Sequence, residues 1–141
     1  MSDISITDIK ALHALIDELI VYIGVIKKAP RDTTIVELFG TRFFRCGQLL
    51  YAYEYIELSE LASDIHDVFI RVFNQSVFVT NEILQITLSF LTLTRKSIMF
   101  SDVPDFNQIA QGIILELRKS LQHISKSESI ENPAQQNHLN S

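Results

Sequence analysis

The chain of 141 residues carries few side chains whose type and spacing could do chemistry. Its four histidines are His13, His66, His123 and His138. A histidine lies beside carboxylates in sequence only at Asp64, His66 and Asp67, and the chain has no Glu-x-x-His pair of the kind that holds two iron ions in helical bundles. We therefore interpret this cluster as a solvated helix face and predict neither a metal site nor a cofactor.

A nucleophilic site is equally hard to find in the sequence. Cys46 lies on an apolar helical stripe, which indicates a buried small hydrophobic residue rather than a reactive thiol. No Gly-x-Ser-x-Gly elbow occurs, and Gly47 is not followed by the Lys and Ser or Thr that a phosphate-binding loop needs. We therefore predict that the chain is not an enzyme.

Composition and charge limit the classes of partner. The net charge of −5 and the pI of about 5.3 disfavour binding to nucleic acid or to an anionic membrane surface. The longest apolar runs, such as residues 19–26, are much shorter than the roughly 20 residues that span a membrane. Because no leader-like start is visible and a single cysteine cannot form an internal disulfide, we expect a cytoplasmic protein with no membrane partner.

The elements that must position any site are helices. Hydrophobic residues make up 47% of the chain, and only 4 Gly and 3 Pro interrupt it. Apolar residues recur at steps of three and four in five successive segments, which is the spacing of one buried helix face. The five stripes are Ile9, Leu12, Ile16, Leu19, Ile23 and Ile26; Phe39, Phe43, Cys46, Leu50 and Tyr53; Leu58, Leu61, Ile65, Val68 and Val72; Ile83, Thr87, Phe90, Thr94 and Ile98; and Phe106, Ile109, Ile113, Leu117 and Leu121. We predict an all-α, up-down helical bundle in which Thr80 caps the fourth helix.

The composition changes near the end of the chain. From residue 125 onward the sequence turns polar, and asparagine and glutamine crowd its last ten positions. We therefore predict a helical bundle over residues 1–124 and a disordered polar tail over residues 125–141.

The fourth segment has a second apolar face, which is formed by Leu84, Leu88 and Leu91. A helix that is apolar on two sides is either sandwiched between neighbours or part of an interface. One alternative for the function is therefore a self-associating structural module that forms a homodimer through these three leucines.

Four short stretches occur in the order and spacing of a known domain type. They are residues 27–32 (Lys-Lys-Ala-Pro-Arg-Asp), 37–39 (Glu-Leu-Phe), 57–62 (Glu-Leu-Ser-Glu-Leu-Ala) and 101–105 (Ser-Asp-Val-Pro-Asp). Over about residues 5–124 the chain resembles the histidine-containing phosphotransfer domain, in particular the N-terminal one of chemotaxis-type histidine kinases. The resemblance implies a four-helix bundle with an additional fifth helix and a place in two-component or phosphorelay signalling.

The sequence departs from that family at the residue that carries its chemistry. The family's motif is His-x-x-Lys/Arg-Gly on the second helix, and its histidine passes a phosphoryl group to an aspartate of a receiver domain. The corresponding residues 43–48 contain no histidine. Matching Gly47 to the motif glycine puts Phe43 at the histidine position, whereas matching the apolar stripe puts Phe44 there. We favour Phe44, because Phe43 and Cys46 belong to the stripe.

The resemblance therefore implies a degenerate phosphotransfer domain that keeps a docking surface without the chemistry. We predict a non-catalytic adaptor that binds a response-regulator receiver domain or a histidine kinase without transferring phosphate. The predicted partner-binding residues lie along the outer line of the second helix and are Thr41, Phe44, Arg45, Gln48 and Tyr51. An alternative is phosphotransfer on a relocated histidine, His66. We favour it less, because Phe69 and Ile70 occupy the positions where a basic residue would be needed.

Overall fold

The computed structural model describes residues 6–76 and 79–130, and it contains five α-helices joined by short connections. The helices are α1 (Ile6–Lys28), α2 (Thr33–Ala52), α3 (Ile56–Ser76), α4 (Asn81–Met99) and α5 (Pro104–Ile130). No strand occurs within these two ranges, so the predicted all-α helical bundle is confirmed.

Helices α1 to α4 form the bundle, and α5 is added to one side of it. Helix α2 packs against α1 and α3, and α4 also packs against α1 and α3, so that these four helices enclose a common core. Helix α5 contacts α3 and α4. Two connections of the bundle also meet, because the backbone N–H of Val79 donates a hydrogen bond of 3.1 Å to the carbonyl of Pro30.

An aromatic cluster joins three of the helices inside the core. The rings of Phe39 and Phe43 on α2 stack at a centroid distance of 5.6 Å, and Phe39 stacks on Phe69 of α3 at 5.1 Å. Phe43 meets the edge of Phe90 on α4, also at 5.6 Å. All four rings are almost completely buried, so they fix the inner face of α2 against α3 and α4.

Polar side chains cap the starts of α2 and α4. The Asp32 carboxylate accepts hydrogen bonds from the backbone N–H groups of Thr34 and Ile35, at 3.0 and 3.3 Å, and so caps α2. Thr80 caps α4, as predicted, because its hydroxyl accepts a hydrogen bond of 3.5 Å from the N–H of Ile83. The predicted stripes of α1 to α4 lie in or against the core.

The buried face of α5 differs from the prediction. Ile109 and Ile113 of the predicted stripe are 57% and 37% exposed, whereas the next residues, Ala110 and Ile114, are buried. Leu117 and Leu121 of the predicted stripe are buried, as predicted, and the buried set continues to Ile124. The two sets differ by one residue only in the first half of α5, where both satisfy the helical period and the packing on α3 and α4 selects between them.

The second apolar face of α4 is covered inside the chain. Leu84 and Leu91 are 0% exposed, and Leu88 is partly buried against the core. Helix α4 lies between α1, α3 and α5, so that its opposite sides pack on different neighbours. The prediction that Leu84, Leu88 and Leu91 offer a surface for a second copy of the chain is therefore wrong.

The boundary of the polar tail also differs from the prediction. Helix α5 continues to Ile130, so that residues 125–130 are helical rather than part of the tail. The remainder of the predicted disordered tail, residues 131–141, lies outside the described residues.

Candidate functional site: the groove between α2 and α3

The five predicted partner-binding residues all lie on the outside of α2. Thr41, Phe44, Arg45, Gln48 and Tyr51 are exposed, with values of 54% for Phe44 and 65% for Tyr51. Their line lies on a face of the helix different from that of the buried stripe, so α2 presents an aromatic surface to solvent. Large apolar side chains at such exposure are typical of binding surfaces when they are grouped.

A groove of about 390 Å³ runs between this surface and α3, and we call it the α2–α3 groove. Its lining residues are Phe43, Phe44, Gly47, Gln48 and Tyr51 from α2, and Ser59, Ala62, Ser63 and His66 from α3. The structure thus brings Phe44, Gln48 and Tyr51 together in one groove. Thr41 and Arg45 are exposed on the same helix but do not line it.

Small residues allow the two helices to approach closely at the groove. A Cβ atom added at Gly47 would lie 3.4 Å from the Cβ of Ala62, so the missing side chain leaves α2 and α3 in near contact. The Ser59 hydroxyl donates a hydrogen bond of 3.0 Å to the Gly47 carbonyl and joins the helices at this point. Because glycine, alanine and serine fill little space, a depression remains between the larger side chains on either side.

His66 faces Phe44 across the groove. The two rings lie 5.8 Å apart between centroids at an angle of 52°. The His66 side chain is 26% exposed, and its Nδ1 atom lies 3.8 Å from a carboxylate oxygen of Asp67. None of the described residues that line the groove is a lysine or an arginine. The groove therefore offers aromatic faces, hydroxyls, an amide and one imidazole, which suit contacts with side chains of another protein.

Sequence reasoning missed the half of the groove that α3 contributes. Ser59, Ala62, Ser63 and His66 lie at helical spacing on a line beside the buried stripe of α3. This line of small and polar residues was the available signal, but the sequence alone does not say that it faces Phe44.

Cys46 is buried in the core, as predicted from its place on the stripe. Burial among apolar side chains raises the pKa of its thiol to about 12. The thiol is therefore neutral at physiological pH, and Cys46 is not among the residues that line the groove.

The described part of the chain holds neither a metal cluster nor a membrane span. No group of three His, Cys, Asp or Glu residues in residues 6–76 and 79–130 is placed to hold a metal ion. No helix of the same ranges is long and apolar enough to cross a membrane.

Comparison of the chain with sequence profiles of known protein families, with curated proteins and with solved structures finds no match. The resemblance to phosphotransfer domains is not tested by these comparisons and stays a prediction.

Proposed function

We propose that the chain is a non-catalytic signalling adaptor that binds a receiver domain or a histidine kinase through the α2–α3 groove without transferring phosphate. The observation that carries the proposal is the placement of Phe44, which is 54% exposed at the edge of the groove while Phe43 is 1% exposed. In phosphotransfer domains the histidine is exposed on the second helix, and the resemblance puts Phe44 at that position. A phenyl ring has no nitrogen to phosphorylate, but it is a strong anchor for protein binding.

The surroundings of Phe44 support a role in protein recognition. Phe44 and Tyr51 supply large apolar area, and Gln48 and His66 supply hydrogen-bonding groups beside it. Aromatic anchors surrounded by polar groups are common at the centres of protein interfaces. The proposal also places the adaptor in the cytoplasm, and the single unpaired Cys46 is compatible with a reducing compartment.

The test is direct binding between the purified chain and each receiver domain and histidine kinase encoded in the same genome. We expect one of these proteins to bind, and we expect Phe44→Asp to weaken that binding at least about tenfold by putting a charge at the anchor. The matched control is Leu115→Asp, because Leu115 on α5 is also 54% exposed and does not line the groove.

Because Phe44 is exposed, Phe44→Asp should fold like the parent chain, and circular dichroism checks this. Binding by none of the candidate proteins would contradict the proposal. Equal loss of binding in the Leu115→Asp variant would show that the effect is not specific to the groove.

One observation favours a second candidate, which is phosphotransfer on His66. The imidazole lies in the same groove, 5.8 Å from the ring of Phe44, at 26% exposure. Incubation with an active kinase and radiolabelled ATP tests it. Acid-labile label that disappears in a His66→Gln variant would support phosphotransfer, and absence of label would leave the adaptor as the proposal. Self-association through Leu84, Leu88 and Leu91 is not proposed, because the leucine face on which that alternative was based is covered inside the chain.

A further inference from the structure

Exposed apolar side chains are concentrated around the connection from α4 to α5. Of the twelve large hydrophobic side chains that are exposed in the described part of the chain, six lie within residues 99–115. The rings of Phe100 and Phe106 lie 5.4 Å apart between centroids, and Ile109 and Ile113 follow Phe106 along α5 at steps of three and four. The turn and the first half of α5 therefore present a grouped apolar surface, which is typical of a binding site.

Charged residues are ordered along the same side of α5. An exposed line with steps of four and three consists of Asp105, Ile109, Gly112, Glu116 and Lys119, and we call it the α5 face. Asp105 lies seven residues before Gly112, and Lys119 lies seven residues after it. Because an α-helix rises 1.5 Å per residue, these two opposite charges are about 21 Å apart and cannot pair within one chain.

This order of charges is complementary to an antiparallel copy of itself. If a second α5 were aligned on Gly112 in the opposite direction, Asp105 of each copy would meet Lys119 of the other. The same register would bring Glu116 opposite Gln108, whose amide can donate a hydrogen bond. Each contact would occur twice, as a two-fold interface between identical chains requires.

The centre of the α5 face is open to a second helix. A Cβ atom added at Gly112 would meet no other atom within 4 Å, so this position faces empty space. A residue without a side chain lets another backbone approach closely. The apolar side chains of Ile109 and Ile113, which are 57% and 37% exposed, lie beside this point and would lose contact with water in the pair.

The acidic residues at the turn disfavour a lipid surface as the occupant. Asp102 and Asp105 lie between Phe100 and Phe106 and are exposed. Insertion of the turn into a membrane would take these carboxylates out of water, and the net charge of −5 would oppose approach to anionic lipids. A second copy of the chain instead supplies a lysine for Asp105.

We propose that two copies of the chain associate through the α5 face as an antiparallel, two-fold dimer. Ile109 and Ile113 form its apolar centre, and Asp105 of each copy pairs with Lys119 of the other. This interface is separate from the leucine face of α4, and none of its residues lines the α2–α3 groove. The dimer is independent of the adaptor function and can form whether or not the groove binds a signalling protein.

Sedimentation equilibrium of the full chain, over about 5–200 μM, tests the proposal. We expect the mass to rise with concentration from the 16.1 kDa of one chain toward twice that value. Ile109→Asp should weaken association at least about tenfold, because it puts a charge at the apolar centre. The matched control is Leu115→Asp, which should still dimerise. Leu115 is on the same helix at a similar exposure, 54% against 57%, but lies about 120° around the helix from Ile109.

Charge reversal tests the antiparallel register. Asp105→Lys and Lys119→Glu should each weaken association about threefold to tenfold, because each change puts like charges together twice in the dimer. The double variant should recover the parent affinity. Lys119 lies 3.7 Å from Glu116 within its own helix, but restoration by a change at Asp105 can only act across the interface.

The substituted side chains are exposed, so all of these variants should fold like the parent chain, and circular dichroism checks this. A single-chain mass at every concentration would overturn the proposal. Equal loss of association in Leu115→Asp and Ile109→Asp would overturn the assignment to the α5 face. A double variant that associates no better than the single reversals would overturn the antiparallel pairing.

Discussion

Phe43 and Phe44 are neighbours in α2 that meet opposite surroundings. Phe43 is 1% exposed and packs between Phe39 and Phe90, whereas Phe44 is 54% exposed and lies beside His66 at the α2–α3 groove. One step along a helix rotates the side chain by about 100°, which is enough to move it from the core to the surface. The same residue type is therefore part of the core at one position and exposed to solvent at the next.

The largest expected difference between the buried and the exposed face of α2 is in the rate at which a thiol reacts. Because the pKa of Cys46 is raised to about 12, a disulfide reagent at pH 8 should modify it at least about a hundredfold more slowly in the folded chain than in urea. In a Gln48→Cys variant, the new thiol on the exposed face should react rapidly while Cys46 stays protected. Mass spectrometry of the modified peptides distinguishes the two sites, and equal reaction rates would refute the assignment of the faces.

The burial of Cys46 also has a consequence for alkaline stability. The folded state favours the neutral thiol, so this contribution to stability is complete below the usual pKa of a thiol and is lost as the pH rises toward about 12. The midpoint of thermal unfolding should therefore fall in alkaline solution, and a Cys46→Ala variant should show a smaller fall.

The next largest effect is on folding stability. Phe43→Ala removes a ring from the aromatic cluster and should lower the free energy of unfolding by about 3–5 kcal/mol. Phe44→Ala, its matched control, should lower it by less than about 1 kcal/mol because Phe44 is half exposed. Urea denaturation measures both values, and similar losses for the two variants would contradict the difference in burial between Phe43 and Phe44.

The smallest effect on the free energy of unfolding is expected at Thr41, on the exposed face of α2. Thr41 is exposed, and its hydroxyl donates a hydrogen bond of 3.1 Å to the carbonyl of Glu37 within the same helix. Thr41→Ala should leave the free energy of unfolding unchanged or raise it by up to about 0.7 kcal/mol, since alanine is the better helix former. A clear loss of stability in the same urea titration would indicate that Thr41 supports the fold.

The helical period accounts for what the sequence could predict. It identified five helices, the stripes of α1 to α4 and the burial of Cys46, because each depends on spacing within one helix. It also indicated that Phe44 lies off the core face.

Features that depend on which helix covers which face could not be obtained in this way. The period alone did not tell whether α5 buries Ile109 or Ala110, or that α4 is enclosed on opposite sides. It did not show that His66 of α3 lies opposite Phe44. These outcomes depend on the angles and distances between helices, which small residues such as Gly47 help to set.

We propose that the outer face of α2 at Phe44 docks a signalling protein, and site-specific crosslinking at that residue is a direct test. The photoreactive residue p-benzoylphenylalanine is introduced at position 44 or, as a control of equal exposure, at position 115, and the chain is irradiated in living cells. We predict that position 44 crosslinks to a receiver-domain protein or a histidine kinase and that position 115 does not. No crosslink at position 44, or the same products from both positions, would contradict a docking role of Phe44.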